Sequence, residues 1–133
     1  MQIFVGIGCR RGCPAQTLGN LLEHTLKAHD LPLEAVAGLA SIDLKEHEPG
    51  LYQLARRLNV PLLFFSAAQL AAFETRLSHR SAVAFEHSGC YGVAESAALA
   101  LAEKMAGSAQ LYVKRTLLSD ASLALATATG FGG

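Results

Sequence analysis

Apolar positions fall along the chain in two alternating rhythms, short unbroken runs and stretches spaced three and four apart, and this alternation predicts βα units. Residues 2–8, Gln-Ile-Phe-Val-Gly-Ile-Gly, make a run of strand length. Leu18, Leu21, Leu22, Thr25, Leu26 and His29 then share one helical face, which places a first helix from Pro14 to about residue 29. Asp30-Leu-Pro32 ends that helix, and residues 35–40 read as a second strand. Pro49 suits the first position of a second helix, with Leu51, Leu54, Ala55 and Leu58 on its inner face. Residues 60–65 form a third strand, and Ser66-Ala-Ala-Gln69 is a capping-box pattern opening a helix with Leu70 and Phe73 inward.

Residues 81–85 carry a less regular fourth strand, followed by an alanine-rich helix from Val93 to about Met105 that Gly107-Ser108 stops. The last part changes character. Residues 110–118 and 122–127, separated by Ser119-Asp-Ala, read as a hairpin. The expectation is an open α/β sheet with helices on both faces and an antiparallel edge added by the C-terminal β-hairpin. Residues 1–128 are expected to form one domain, with residues 129–133 as a flexible C-terminal tail.

Composition narrows the function classes. Of 133 residues, 51% are hydrophobic, and no internal repeat, linker or charge block interrupts them, which fits one folded core. Eleven basic residues balance eleven acidic ones, so a broad electrostatic footprint for nucleic acid is not expected, although a local cationic pocket is compatible with neutrality. No signal-peptide pattern precedes the first strand and no apolar run has the length of a membrane span, which points to a cytoplasmic protein without a membrane partner.

The three cysteines, Cys9, Cys13 and Cys90, do not make a C-x-x-C redox motif or half of a zinc knuckle. Two readings stand: reduced thiols filling space near the core, or a Cys9 or Cys13 whose pKa is lowered by a helix N-terminus and nearby arginines. His87 and Cys90 lack further ligands at metal spacing, so no metal and no cofactor are expected.

The candidate chemistry lies in segments that follow the strands. Gly8-Cys9-Arg10-Arg11-Gly12 joins the first strand to the helix opened by Pro14, which suits anions: glycines admit close approach, helix N–H groups are partly positive, and two arginines add fixed charge. The alternative is a tight βα turn with solvated arginines. It is not a dinucleotide fingerprint, because the third glycine falls one position late, at Gly12, and it lacks the Lys-Ser/Thr ending of a P-loop.

Asp43, Lys45, Glu46, His47 and Glu48 follow the second strand. They read either as a solvated charged loop or as a group with Lys45 contacting an anion and Asp43 or Glu48 handling a proton or a water. Ser66 follows the third strand, and Gly89, Tyr91, Gly92 and Glu95 follow the fourth. Glu95 either caps its own helix or faces the site as an acid or base. In open α/β sheets ligands bind beyond the carboxyl ends of the strands, where all of these segments converge.

Three segments together resemble the CobE and CbiG C-terminal domain family of cobalamin biosynthesis: Gly6-Ile-Gly-Cys-Arg-Arg-Gly12, Ala40-Ser-Ile-Asp-Leu-Lys45 with Glu48-Pro-Gly-Leu51, and Gly92-Val-Ala-Glu-Ser-Ala-Ala-Leu99. The resemblance runs over nearly the whole chain. It implies a three-layer α/β/α sandwich with a mixed, mostly parallel sheet of about five to six strands. In this family, CbiG-type proteins open the lactone ring of a cobalt-precorrin and release the extruded carbon as acetaldehyde, and they carry additional N-terminal sequence. Here Met1 leads directly into the first expected strand, so the chain resembles the stand-alone CobE-type form.

The function the resemblance implies is binding of a corrinoid, a precorrin-type tetrapyrrole intermediate, as a carrier or pathway accessory. Its alternative is a hydrolase acting on a precorrin lactone or bridge carbon with loss of a two-carbon fragment. Ligand contacts are then expected from Gly8, Cys9, Arg10, Arg11, Gly12, Lys45, Glu48, Ser66, Gly89, Tyr91, Gly92 and Glu95, and catalytic roles, where there is turnover, from Glu95, Asp43 and Lys45. Other cobalamin-pathway enzymes are expected as partners, and the oligomeric state is left open.

Overall fold

Three parallel strands and one antiparallel hairpin share a single sheet in the order β3-β2-β1-β5-β4. The structure is a computed structural model and describes residues 1–77, 92–118 and 121–129. The strands are β1 (Ile3–Cys9), β2 (Val36–Ile42), β3 (Leu62–Phe65), β4 (Gln110–Leu118) and β5 (Ala121–Thr127). β1 pairs in parallel with β2, and β2 with β3, while β5 lies antiparallel to both β1 and β4. The sheet is therefore mixed and partly parallel, with the C-terminal hairpin supplying its antiparallel side. The expected strand at residues 81–85 lies outside the described residues.

Alternation along β1 shows how the layers arise. Ile3, Val5 and Ile7 point to one face, where they join Leu18, Leu21, Leu22 and Leu26 of α1 (Ala15–Ala28) and Leu51 and Leu54 of α2 (Pro49–Leu58). Phe4 points to the other face, into a second cluster with Leu70 of α3 (Ala67–Ala71) and Ala94, Ala97, Ala98 and Leu101 of α4 (Val93–Ala106). Helices on both faces of one sheet make the three-layer α/β/α arrangement. The face expected for α1 is correct as far as Leu26, but His29 sits at the helix C-cap and is exposed, its ring edge-on to Tyr112.

α4 lies unusually close to β1. A Cβ on Gly6 would collide with the backbone of Ala94 and Ala98, so glycine in the strand and alanine in the helix together permit this contact. On the other side, β4 has register irregularities between Leu111 and Val113 and between Val113 and Thr116. The second irregularity changes the strict alternation. Val113 joins the core under α1, and Thr116, three residues on, also meets α1 through Thr25, whose hydroxyl lies 3.3 Å from its own. Among the described residues no helix is long and apolar enough to cross a membrane.

Candidate functional site

Because β1, β2 and β3 run the same way, their carboxyl ends, Cys9, Ile42 and Phe65, lie along one edge of the sheet. The antiparallel register brings β5 back to that edge, with Ala121 opposite Cys9 and Ser122 opposite Gly8. The segments after the strands therefore come together as expected: 8–14 after β1, 43–48 after β2, and Ser66 after β3. The start of α4 joins them, since a Cβ on Gly8 would lie 3.9 Å from the Val93 Cβ and 4.0 Å from the Ala94 nitrogen.

The first two loops are tied to each other. The Gly12 N–H donates to the Glu48 Oε1 at 2.6 Å, across 36 residues of chain. Gly12 has φ 78°, in the left-handed region, and the Cys13 N–H donates to the Arg10 carbonyl at 3.2 Å, closing the turn that carries both arginines. Arg10, Arg11 and Gly12 are exposed, while Lys45, Asp43 and Glu48 are half-buried. Asp43–Lys45 forms a single 3-10 turn, and the Tyr52 hydroxyl donates to the Glu46 carbonyl at 2.5 Å just beyond it.

Cys9 reports on this cluster. Burial pushes its thiol up to about 11; the Lys45 ammonium opposes the shift, and Cys13 and Glu48 add to it. The reading in which helix N-terminus and arginines lower the Cys9 pKa is therefore overturned, because desolvation outweighs the Lys45 ammonium, the cation that acts on the thiol. Cys9 is half-buried and Cys13 buried, as space-filling thiols would be.

Other expected site residues are held by the fold. The Ser66 hydroxyl accepts the Gln69 N–H at 3.1 Å, and Gln69 Oε1 accepts the Ser66 N–H at 2.7 Å, completing the capping box. Glu95 is 1% exposed, and its Oε2 accepts the Arg115 backbone N–H at 2.8 Å, at the irregularity in β4. A carboxylate in this position satisfies an N–H that the disrupted β4 ladder leaves over. Gly92, buried, precedes α4 in the left-handed region with φ 52°. Gly89 and Tyr91, and with them His87 and Cys90, lie outside the described residues.

Sequence reasoning did not single out Ser41 and Ser122. The buried Ser41 hydroxyl donates to the Ile7 carbonyl at 2.7 Å, and the Ser122 hydroxyl lies 3.4 Å from the Gly8 carbonyl. Both brace the end of β1, and only the strand register reveals them. α1 and α2 begin without a side-chain cap on their first N–H groups, so partial positive charge remains at this edge.

Two hollows, of about 450 and 500 Å³, open at the opposite end of the sheet, one beside Lys27 and Asp30, the other beside Gln2, Gln110 and Tyr112. Neither meets the cationic loops. Among the described residues no group of three or more His, Cys, Asp or Glu side chains is arranged to hold a metal ion.

Comparison with known proteins matches residues 3–126 to the family described as the cobalamin synthesis G C-terminus. Protein CobE from Sinorhizobium sp. is 35% identical over 93% of this chain and 79% of its own length. A crystal structure of CobE, a protein from the cobalamin (vitamin B12) biosynthetic pathway, superposes with a TM-score of 0.90 at 49% identity, covering 94% of this chain and 89% of that one. The cobalt-precorrin-5A hydrolase of Salmonella typhimurium is 42% identical over 55% of this chain, and the match spans only 21% of the hydrolase.

Proposed function

The chain belongs to the cobalamin synthesis G C-terminal family, as a CobE homologue of the cobalamin biosynthetic pathway, and from that premise we propose that it binds a precorrin-type corrinoid intermediate as a carrier or accessory. The observation that carries this reading is the interlocked pair of loops at the carboxyl edge. These loops carry Arg10 and Arg11 on one side and Lys45 on the other, beside two helix starts with no side-chain cap.

Early corrinoids carry acetate and propionate carboxylates around a largely apolar macrocycle. Such a ligand needs separated cationic and N–H donors rather than one deep anion hole. Arginine supplies planar, two-pronged recognition of a carboxylate, and lysine a point charge. In this reading the ligand approaches the backbone at the exposed Gly12, where nothing lies within 4 Å of an added Cβ, and Tyr91 supplies apolar contact.

The test is a titration with hydrogenobyrinic acid, a carboxylate-bearing corrin, followed by its absorbance. Saturable binding is expected, weakened about a hundredfold or more by joint Arg10→Ala and Arg11→Ala, since each lost charge-assisted contact is worth about 1.5–3 kcal/mol. Absence of a saturable change, or one indifferent to both arginines, would rule this reading out.

The 42% match to a cobalt-precorrin-5A hydrolase favours a second reading, hydrolysis of a precorrin lactone or bridge carbon. In it Asp43 or Glu95 orients water while Lys45 or Arg11 stabilises developing negative charge. Mass analysis of the tetrapyrrole before and after incubation separates the two. An unchanged mass with saturable binding supports carriage, whereas loss of a two-carbon fragment supports hydrolysis.

A further inference from the structure

Glu48 occupies the N-cap position of α2, yet its side chain makes no capping hydrogen bond to its own helix. Instead Oε1 reaches across to the Gly12 N–H, a short bond of the charge-assisted kind. The same two segments touch again one turn on. Gly50 packs so tightly that a Cβ there would collide with the Cys13 carbonyl and lie 3.2 Å from the Ala15 nitrogen. The turn from Arg10 to Cys13 is thus held at Gly12 by a carboxylate and at Cys13 by backbone packing.

We propose that Glu48 is a positioning residue: its carboxylate fixes the backbone that carries Arg10 and Arg11 before any ligand arrives. Order established in advance is not charged against binding, so anchoring this loop raises affinity for a carboxylate-bearing ligand without Glu48 touching it. The effect on affinity rests on the corrinoid reading above, whereas the clamp itself does not. The competing account makes Glu48 a placeholder that occupies the Gly12 N–H until a ligand carboxylate displaces it.

Native-state trypsin digestion tests the clamp without ligand, because cleavage after Arg10 or Arg11 reads local opening of this loop. Glu48→Ala and Glu48→Asp, which remove or shorten the reach, are expected to speed cleavage there about tenfold, with cleavage after Lys104 in α4 unchanged. Glu48→Gln keeps an acceptor oxygen and is expected to restore slow cleavage to within about threefold of wild type. Titration with hydrogenobyrinic acid then follows the same order, about tenfold weaker for Glu48→Ala and near wild type for Glu48→Gln.

Equal cleavage in all four proteins overturns the proposal. Tighter binding by Glu48→Ala overturns it in favour of the placeholder. Where Glu48→Ala does not fold, Glu48→Asp carries the same comparison. Faster cleavage in a protein family of variants that shows no binding at all upholds the clamp and removes the corrinoid reading.

Discussion

Cys9 closes β1 where Lys45, Cys13 and Glu48 all influence its titration, and burial outweighs the one favourable cation. With the thiol pushed from 9.0 to about 11, its thiolate fraction near neutral pH is lowered about a hundredfold. Alkylation of Cys9 by iodoacetamide, mapped by peptide mass, is expected to stay slow at pH 8 and to accelerate toward pH 11; rapid labelling at pH 7 would contradict the burial. The sign for stability follows from linkage. Between pH 9 and about 11 the unfolded chain releases a proton that the folded chain keeps, so stability falls across that window, and Cys9→Ala is expected to flatten the fall. The sequence exposes the arginines and the helix start near Cys9, but not the depth of the sulfur. Both a space-filling thiol and an activated one were therefore readable there, and only the packing at the end of β1 decides for burial.

At the scale of elements, the contact of α4 with β1 depends on the missing side chain of Gly6. Gly6→Ala would drive a methyl group into the Ala94 and Ala98 backbone, which cannot move without lifting the helix from the sheet. It is expected to cost about 3 kcal/mol or more in urea unfolding, at the upper end for overpacking. Gly12→Ala, with φ 78° and no neighbour within 4 Å of the added Cβ, is expected to cost only about 1 kcal/mol of backbone strain. A larger loss from Gly12→Ala than from Gly6→Ala would refute this ranking.

The hydrophobic spacing made α1, α2 and the capping box at Ser66 readable, because each is encoded within a few residues. The anchoring of Glu95 was not. Its Arg115 partner lies 20 residues away, and the β4 irregularity that frees the Arg115 N–H has no local sequence mark.

For the whole molecule, strand order decides which residues meet. Inserting β5 beside β1 leaves β4 as an edge, and it also brings Ser122 against Gly8 and completes the carboxyl edge of the sheet. The alternating runs in the sequence announced strands, helices and a hairpin, but strand neighbours are set by packing over more than a hundred residues, so the braces at Ser41 and Ser122 were invisible. The same order raises a question of association, since β4 exposes Tyr112, Leu117 and Leu118 along an edge that no other strand among the described residues pairs with. Two features oppose pairing with another strand: the register irregularities, which spoil a flat hydrogen-bonding edge, and exposed Lys114 near its middle, which would meet a like charge in an antiparallel pair of two copies. Sedimentation is therefore expected to give a monomer, and Lys114→Val a concentration-dependent dimer. A wild-type dimer that persists on dilution would show that the β4 edge is not guarded in this way.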